Sequence, residues 1–160
     1  MRFLENHDQP RIASFVRNEG DLVNFTAMLF FLKGTTLLYA GQEWEDDHLP
    51  SLFEKEPIDR KTGHDLSSLI KRLSSIKHDE FSPDDAFFAQ PVDRKDTAVM
   101  TRLNGSARKV GIFSLKSKTA VVDPGIPDGC YQNLIDGSFV TVAKGKLRCD
   151  GNPIILSIPL

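Results

Sequence analysis

The spacing of apolar residues changes once along this chain, near Ser82-Pro83-Asp84, and that change limits the architectures the chain can adopt. Before this point, apolar runs alternate with segments of helical period. After it, short alternating runs punctuated by turn residues take over. Such a change is typical of an α/β unit followed by an all-β unit, so we predict two units, residues 1–82 and residues 83–160.

The first unit has the order strand, helix, strand, helix. Phe3-Leu4-Glu5 resembles the end of a buried strand, and Thr35 to Ala40 is a continuous run typical of a strand buried on both faces of a parallel sheet. A helical segment follows each, with predicted caps at Asp21 and Asp65. Two such units leave strand edges and helix faces uncovered, so we expect the sheet to be completed by something outside these 160 residues.

The second unit shows seven alternating runs separated by turn pairs such as Asn104-Gly105 and Asp136-Gly137. This pattern predicts an antiparallel sandwich of Greek-key type that can fold without the first unit. Alternation predicts core positions for most of its aromatic residues, so a glycan-binding platform of Tyr131 and Phe139 is the less favoured interpretation. The predicted strands are Ala86 to Val92, Thr97 to Leu103, Lys109 to Leu115, Thr119 to Val122, Cys130 to Ile135, Ser138 to Val142 and Ile154 to Ile158.

Composition narrows the classes of partner. The chain has 20 basic and 22 acidic residues mixed along it, with a formal net charge of -2, which argues against nucleic acid as a partner. The longest apolar run, Ala27 to Leu32, is too short to span a bilayer, and no signal peptide is visible, so we expect a cytoplasmic protein.

For Cys130 and Cys149 we expect two reduced thiols, with a single bridge as the alternative.

A loop between Gly41 and His64 is too long for a mere connection and indicates a binding loop or lid, with a packed insert as the alternative. Asp46-Asp47-His48 within it carries metal-ligand side chains. Three adjacent residues on a flexible loop seldom converge on one ion, so a solvated loop is favoured and no metal site is predicted.

Asn6-His7-Asp8 follows the first predicted strand, and in α/β barrels the loops at this end of a strand carry the chemistry. Asp supplies a carboxylate, His a donor that can become cationic, and Asn an amide that can hold either in place. The alternative is a capped turn with an ordinary surface histidine.

The order of motifs resembles the α-amylase family, glycoside hydrolase family 13. Phe3-Leu4-Glu5-Asn6-His7-Asp8 is similar to the Phe-x-x-Asn-His-Asp signature at that family's seventh barrel strand. Gly34-Thr35-Thr36-Leu37-Leu38-Tyr39-Ala40-Gly41-Gln42-Glu43 resembles its eighth strand and the following turn. The resemblance implies the last two strand-helix units of a (β/α)8 TIM barrel, followed by a C-terminal all-β Greek-key sandwich domain.

In that family three carboxylates surround the scissile α-glucosidic bond, and the resemblance implies that Asp8 is the one that stabilises the transition state. His7 would then hydrogen-bond the sugar beside that bond, and Asn6 would orient its neighbours. No motif for the nucleophile or the acid/base is found in the 160 residues, so both are expected upstream and the isolated chain is expected to be inactive. Whether the chain is a truncated product or one piece of a split enzyme stays open.

Gln42, Glu43 and Trp44 follow the second predicted strand and are further candidates for binding substrate, with structural roles at the barrel rim as the alternative. Arg11 is a candidate to pair with a carboxylate at the cleft, and a solvated arginine is equally compatible with the sequence. The calcium site common in the family lies in an insertion outside this chain, so no cofactor is expected here.

The predicted function is therefore part of a retaining glycosidase acting on α-glucosidic bonds of glucans or oligosaccharides. One alternative is a non-catalytic carbohydrate-binding or partner-binding module, and another is a transglycosylase of the same family. The predicted partners are an α-glucan or oligosaccharide substrate and, through the uncovered barrel edges, a second copy of the chain or the missing barrel segment.

Overall fold

A computed structural model describes residues 1–62, 64–92 and 95–160, so Gly63 of the predicted loop lies outside the described residues. The described residues form two α-helices, α1 (Glu19–Phe31) and α2 (Ser67–Glu80), and eight strands. None of these helices is long and apolar enough to cross a membrane. The strands are β1 (Ala86–Val92), β2 (Thr97–Leu103), β3 (Ala107–Ser114), β4 (Ala120–Val122), β5 (Gly129–Gln132), β6 (Phe139–Ala143), β7 (Lys146–Cys149) and β8 (Ile154–Pro159).

The strands form two antiparallel sheets, one in the order β1-β2-β3-β8 and the other in the order β4-β7-β6-β5. In the second sheet three consecutive strands are neighbours and β4 returns to lie beside β7, which is a Greek-key arrangement. The predicted sandwich is confirmed, and β1 and β2 have the predicted bounds. Both cysteines are free, Cys130 exposed on β5 and Cys149 buried on β7.

Sequence reasoning missed strand β7. Its four residues alternate cationic and apolar, and only Leu147 and Cys149 are buried, which is too short a pattern to stand out. The turn before it combines Lys144 and Gly145, both at positive φ (53° and 68°), as a tight hairpin requires. A lysine at the first of these positions gives no turn signal in the sequence.

In the sheet β1-β2-β3-β8, strands β2, β3 and β8 are buried on both faces, whereas the edge strand β1 is mostly exposed. Along β3, Val110 and Ile112 pack between the two sheets, whereas Phe113 packs against the helices. A Cβ added at Gly111 would lie 2.6 Å from the ring of Phe113 and 3.0 Å from that of Phe31, so the glycine permits the close approach of α1. The residues buried between this sheet and the helices are Ala27, Phe30, Phe31, Leu73, Ile76, Met100, Phe113 and Ile155.

Buried polar contacts also join α1 to the sandwich. The Asn24 side chain donates from Nδ2 to the carbonyl of Gly151 (2.8 Å) and accepts at Oδ1 from the backbone N–H of Ser114 (2.8 Å). The helices and the sandwich therefore share a core. Removing the helices would expose one face of the first sheet, so the expectation that the sandwich folds without the first unit does not fit this packing.

Both predicted helices are present, but the predicted cap of α1 is wrong. Asn18 caps it by accepting from the backbone N–H of Asp21 at 3.1 Å, so α1 begins two residues before Asp21. Asp65 does accept from the N–H of Ser67 at 2.8 Å, directly before α2. Asn is as good a cap as Asp, which is why the sequence alone did not separate them.

The two segments predicted as buried strands are not regular strands. They are joined by a single parallel bridge between Arg2 and Thr36. Phe3, Leu38 and Ala40 are exposed, so the prediction that these segments are buried is wrong. The physical reason is that a parallel barrel strand needs a neighbour on each side, and in the described part of the chain each segment has at most one.

Candidate active site

The first and second extended segments run side by side in the same direction. The N–H of Arg2 donates to the carbonyl of Thr35, and the N–H of Leu37 donates to the carbonyl of Arg2, both at 2.8 Å. Because parallel segments end at the same edge, the loops holding Asn6-His7-Asp8 and Gln42-Glu43-Trp44 leave from one side.

A buried ion pair connects these two loops. Arg11 donates from Nη1 to Oε1 of Glu5 at 2.7 Å, and both side chains are almost completely buried. The second oxygen of Glu5 accepts from the N–H of Ile12 at 2.8 Å. Arg11 also donates from Nε to the carbonyl of His48 (3.0 Å), and its guanidinium lies 4.4 Å from the centre of the Tyr39 ring.

Arg11 is therefore not solvated, and the carboxylate that it contacts is Glu5. Its second terminal nitrogen lies 3.8 Å from Oδ2 of Asp46, a buried residue of the second loop. Burial raises the pKa of Glu5, while hydrogen bonds from Arg11 and Ile12 act in the opposite direction. The pair fixes both loops to each other, and a role for Arg11 in binding substrate stays a prediction.

Asn6, His7 and Asp8 form a tight turn. The Asn6 side chain accepts from the backbone N–H of Asp8 at 2.8 Å, which fixes the turn. His7 Nε2 lies 3.2 Å from Asp8 Oδ2, and the two side chains are 60% and 64% exposed. A carboxylate and an imidazole are thus presented together to solvent, on a loop whose base is fixed by the Glu5–Arg11 pair.

Gln42, Glu43 and Trp44 form a 3₁₀ turn at the start of the second loop. Glu43 accepts from the N–H of Gly41 at 2.9 Å, so one of its oxygens serves the turn itself. The Gln42 side chain is buried, and neither atom of its amide has a hydrogen-bond partner among the described residues. The guanidinium of Arg60 lies 4.5 Å from the centre of the Trp44 ring.

The side chains of Asp46-Asp47-His48 turn to different partners. Asp46 accepts from the N–H groups of His48 and Asp59, whereas Asp47 pairs with Arg17 at 3.0 Å. The expectation of a solvated loop is wrong for Asp46, because Arg11 and these backbone donors draw it into the interior. No group of three or more acidic, histidine or cysteine side chains suited to a metal occurs in the described ranges.

Sequence reasoning missed Glu5 and Asp46 as the residues that organise these loops. Glu5 gave a usable signal, since a charge inside an apolar run that is expected to be buried needs a partner nearby. Arg11 lies six residues further on, within reach of a turn. Asp46 gave none, because it lies between other acidic residues in a loop.

Two family models match the chain, one for each of its two parts. A family model described as the catalytic domain of alpha amylase matches residues 1–88, and one described as the bacterial alpha amylase C-terminal domain matches residues 88–156. An α-amylase structure from Lactobacillus plantarum is 29% identical with a TM-score of 0.86, over 98% of this chain and 37% of that one.

Two further structures share the fold. A maltogenic α-amylase from Thermotoga neapolitana is 24% identical with a TM-score of 0.82, over 100% of this chain and 41% of that one. An α-amylase from Geobacillus thermoleovorans, complexed with acarbose, is 17% identical with a TM-score of 0.73, over 98% of this chain and 38% of that one. The chain thus spans well under half the length of these three proteins.

Proposed function

Because the chain belongs to the α-amylase family of glycoside hydrolases, we propose that it supplies one part of a retaining glycosidase that cleaves α-glucosidic bonds in glucans or oligosaccharides. The observation that carries the proposal is the exposed Asp8 carboxylate, held by a fixed turn where a barrel strand would end. The nucleophile and the acid/base, which lack a motif in these 160 residues, belong to the rest of such an enzyme.

The role proposed for Asp8 is to stabilise the transition state. A retaining mechanism needs a nucleophile and an acid about 5 Å apart, and positive charge develops on the sugar ring as the bond breaks. A third carboxylate that accepts hydrogen bonds from sugar hydroxyls binds them more strongly as that charge grows, which lowers the barrier selectively. The exposed Asp8 side chain is free to receive such hydroxyls.

The neighbours of Asp8 divide the remaining tasks. His7 lies within 3.2 Å of the Asp8 carboxylate and can donate to the same sugar residue. Asn6 acts through the turn, because its side chain holds the N–H of Asp8. The ring of Trp44, on the second loop, is proposed to border the substrate, since sugar sites often include aromatic rings. Gln42 on the same loop is buried, so its amide offers the substrate no surface.

The test uses the full-length enzyme, expressed with its upstream coding sequence. Asp8→Asn should lower kcat on a maltooligosaccharide by several powers of ten and leave the melting temperature unchanged, because the side chain is exposed. Asp47→Asn, at another exposed aspartate of the same edge, is the matched control and should retain turnover. Near-normal turnover of Asp8→Asn would refute the role of Asp8.

The same assay separates the alternatives. Product analysis distinguishes transfer to a second sugar from transfer to water, which the shared carboxylates do not decide. A full-length protein without any turnover on α-glucans would favour the non-catalytic binding module instead.

A further inference from the structure

A cavity of about 440 Å³ lies beside strands β6 and β7, in a part of the fold that does not include Asp8, and both outward-facing residues and the core residues Val140 and Ile154 line it. Its volume lies in the range of small-molecule sites. Phe139 and Thr141 of β6 line it, together with Arg148 of β7 and the following Asp150 and Asn152. We call this set of five residues the Phe139 platform.

Phe139 faces outward because of strand alternation. On β6, Val142 points into the core between the sheets and Val140 packs at its margin, so Phe139 and Thr141 point the other way. The Phe139 side chain is 69% exposed, contrary to the core position that alternation of the aromatics suggested. Tyr131 does pack at the margin of that core, so the platform does not include it.

Both hydrogen-bond donors and hydrogen-bond acceptors line the cavity with the Phe139 ring. The guanidinium of Arg148 makes no hydrogen bond or ion pair with any residue that the structure describes, so its donors are available. Asp150 uses Oδ1 to accept from the N–H of Asn152 at 3.3 Å and offers a second oxygen. Gln132, which pairs with Phe139 across the strands, donates from Nε2 to Gly137 at 3.2 Å.

We propose that the Phe139 platform binds an α-glucan chain as a second sugar site, separate from Asp8. A pyranose presents an apolar C–H face that stacks on an aromatic ring and a rim of hydroxyls that need donors and acceptors together. Phe139 supplies the ring, Arg148 supplies donors and Asp150 supplies acceptors. Asp136 and Asp150 outnumber Arg148 at the cavity, which disfavours an anionic ligand.

A protein partner fits this surface less well. Stable protein interfaces have an apolar centre and bury well over 1,000 Å² in general. Among the described residues that line this small cavity, Phe139 is the only aromatic, and most of the others are polar. That the sugar is an α-glucan rests on the proposed function, whereas the presence of a sugar site rests on the Phe139 platform itself.

The experiment titrates maltoheptaose into the 160-residue chain and follows backbone amide shifts by NMR. We expect saturable shifts centred on Thr141, Arg148 and Asn152. Phe139→Ala should weaken binding at least tenfold, and Arg148→Ala should weaken it measurably. Phe88→Ala is the matched control, because Phe88 is a second aromatic on a strand of the sandwich, 61% exposed, and this variant should bind normally.

Several results would overturn the proposal: no saturable binding, shifts confined to another surface, or unchanged affinity in Phe139→Ala. The shift map of the unaltered chain gives an answer even if a variant fails to fold. Shifts confined to Asn6, His7 and Asp8 would assign the sugar to the other site. If cellohexaose binds at Phe139 and maltoheptaose does not, the site does not take α-glucans. Turnover by the full-length enzyme tests the proposed function separately.

Discussion

Arg11 contacts three parts of the chain through one guanidinium: Glu5, the carbonyl of His48 and the ring of Tyr39. Its Nη2 atom is buried and has no hydrogen-bond partner among the described residues, so the burial of this group is only partly compensated. A buried charge of this kind is costly when its partner is removed, although replacing both charges by apolar groups can be harmless. The pair therefore specifies how the two loops meet more than it adds to stability.

We predict that Arg11→Met lowers the free energy of unfolding by about 3–5 kcal/mol, because Glu5 is left charged and buried. Urea denaturation of the 160-residue chain measures the change. Arg17→Met, which removes an exposed ion pair with Asp47, is the control and should change it little. The double variant Glu5→Leu/Arg11→Met should recover part of the loss. Equal stability of Arg11→Met and Arg17→Met would show that the buried Glu5–Arg11 pair is dispensable.

At the scale of elements, the end of α1 is capped by other parts of the fold. The last carbonyls of this helix lack partners within it, as in any helix. Lys77 of α2 donates to the carbonyls of Phe30 and Leu32 at 2.9 and 2.8 Å, and Arg102 of β2 donates to that of Phe31 at 3.1 Å. The helix therefore ends in contact with both its neighbouring helix and the sandwich.

Lys77 should make stability depend on pH. Burial lowers the pKa of its ammonium from 10.5 to about 8, and the charge of Arg102 acts in the same direction. Between these pH values the unfolded chain holds more of this proton than the folded chain does, so the contribution of Lys77 to stability rises as the pH increases.

Denaturation of the unaltered chain and of Lys77→Met at pH 7 to 10 tests this, in the range set by that shift. The stability of the unaltered chain relative to Lys77→Met should increase with pH above about 8. Lys71→Met, on the exposed side of the same helix, should show no such trend relative to the unaltered chain. If the stability of the unaltered chain relative to Lys77→Met stays constant or falls as the pH increases, the prediction is contradicted.

The sequence was informative where one local pattern decides the structure. The alternating runs predicted both ends of β1 and β2, and the turn pair Asn104-Gly105 marks the end of β2. It failed for Thr35 to Ala40, where burial depends on strands that are not in the chain. It also did not reveal that Phe30 and Phe31 pack on β3, because helical period predicts an apolar face but does not identify what covers it.

In the candidate site the motif Asn6-His7-Asp8 could be recognised from the sequence, whereas the Glu5–Arg11–Asp46 contacts depend on the folded loops.

At the scale of the whole molecule, exposed apolar side chains concentrate in the first unit. A groove of about 450 Å³ lies between the segment from Thr35 to Leu38 and helix α2, with Ile70 in its lining. The backbone beside it has an unpaired edge, which is a template for association. The exposed large apolar residues of this unit are Met1, Phe3, Phe15, Leu38, Leu49, Leu52 and Phe53.

We predict that the isolated chain self-associates through this groove, since each Å² of apolar surface left in water costs about 25 cal/mol. Sedimentation at increasing concentration should show dimers or larger species, and Leu38→Ser should shift the distribution toward monomer. Phe88→Ser, at an exposed apolar position outside the groove, should not. A monodisperse monomer at all concentrations would show that the uncovered edge is harmless.

We also predict that the isolated chain has no glycosidase activity, because a stabilising carboxylate alone offers no route to break the bond. Pure chain incubated with an activated α-glucoside should release no leaving group above background. Hydrolysis that Asp8→Asn abolishes would contradict this and would mean that the 160 residues contain a complete site.

The two-sided burial of the first sheet also has a consequence for synthesis on the ribosome. Helix α1 is synthesised before its packing partners Phe113 and Ile155, and Ile154 and Leu156 of β8 are needed for the other core as well. At translation rates of about 5–20 residues per second, the apolar face of α1 waits on the order of ten seconds for β8. A stop codon placed before β8 would leave both cores of the protein incomplete.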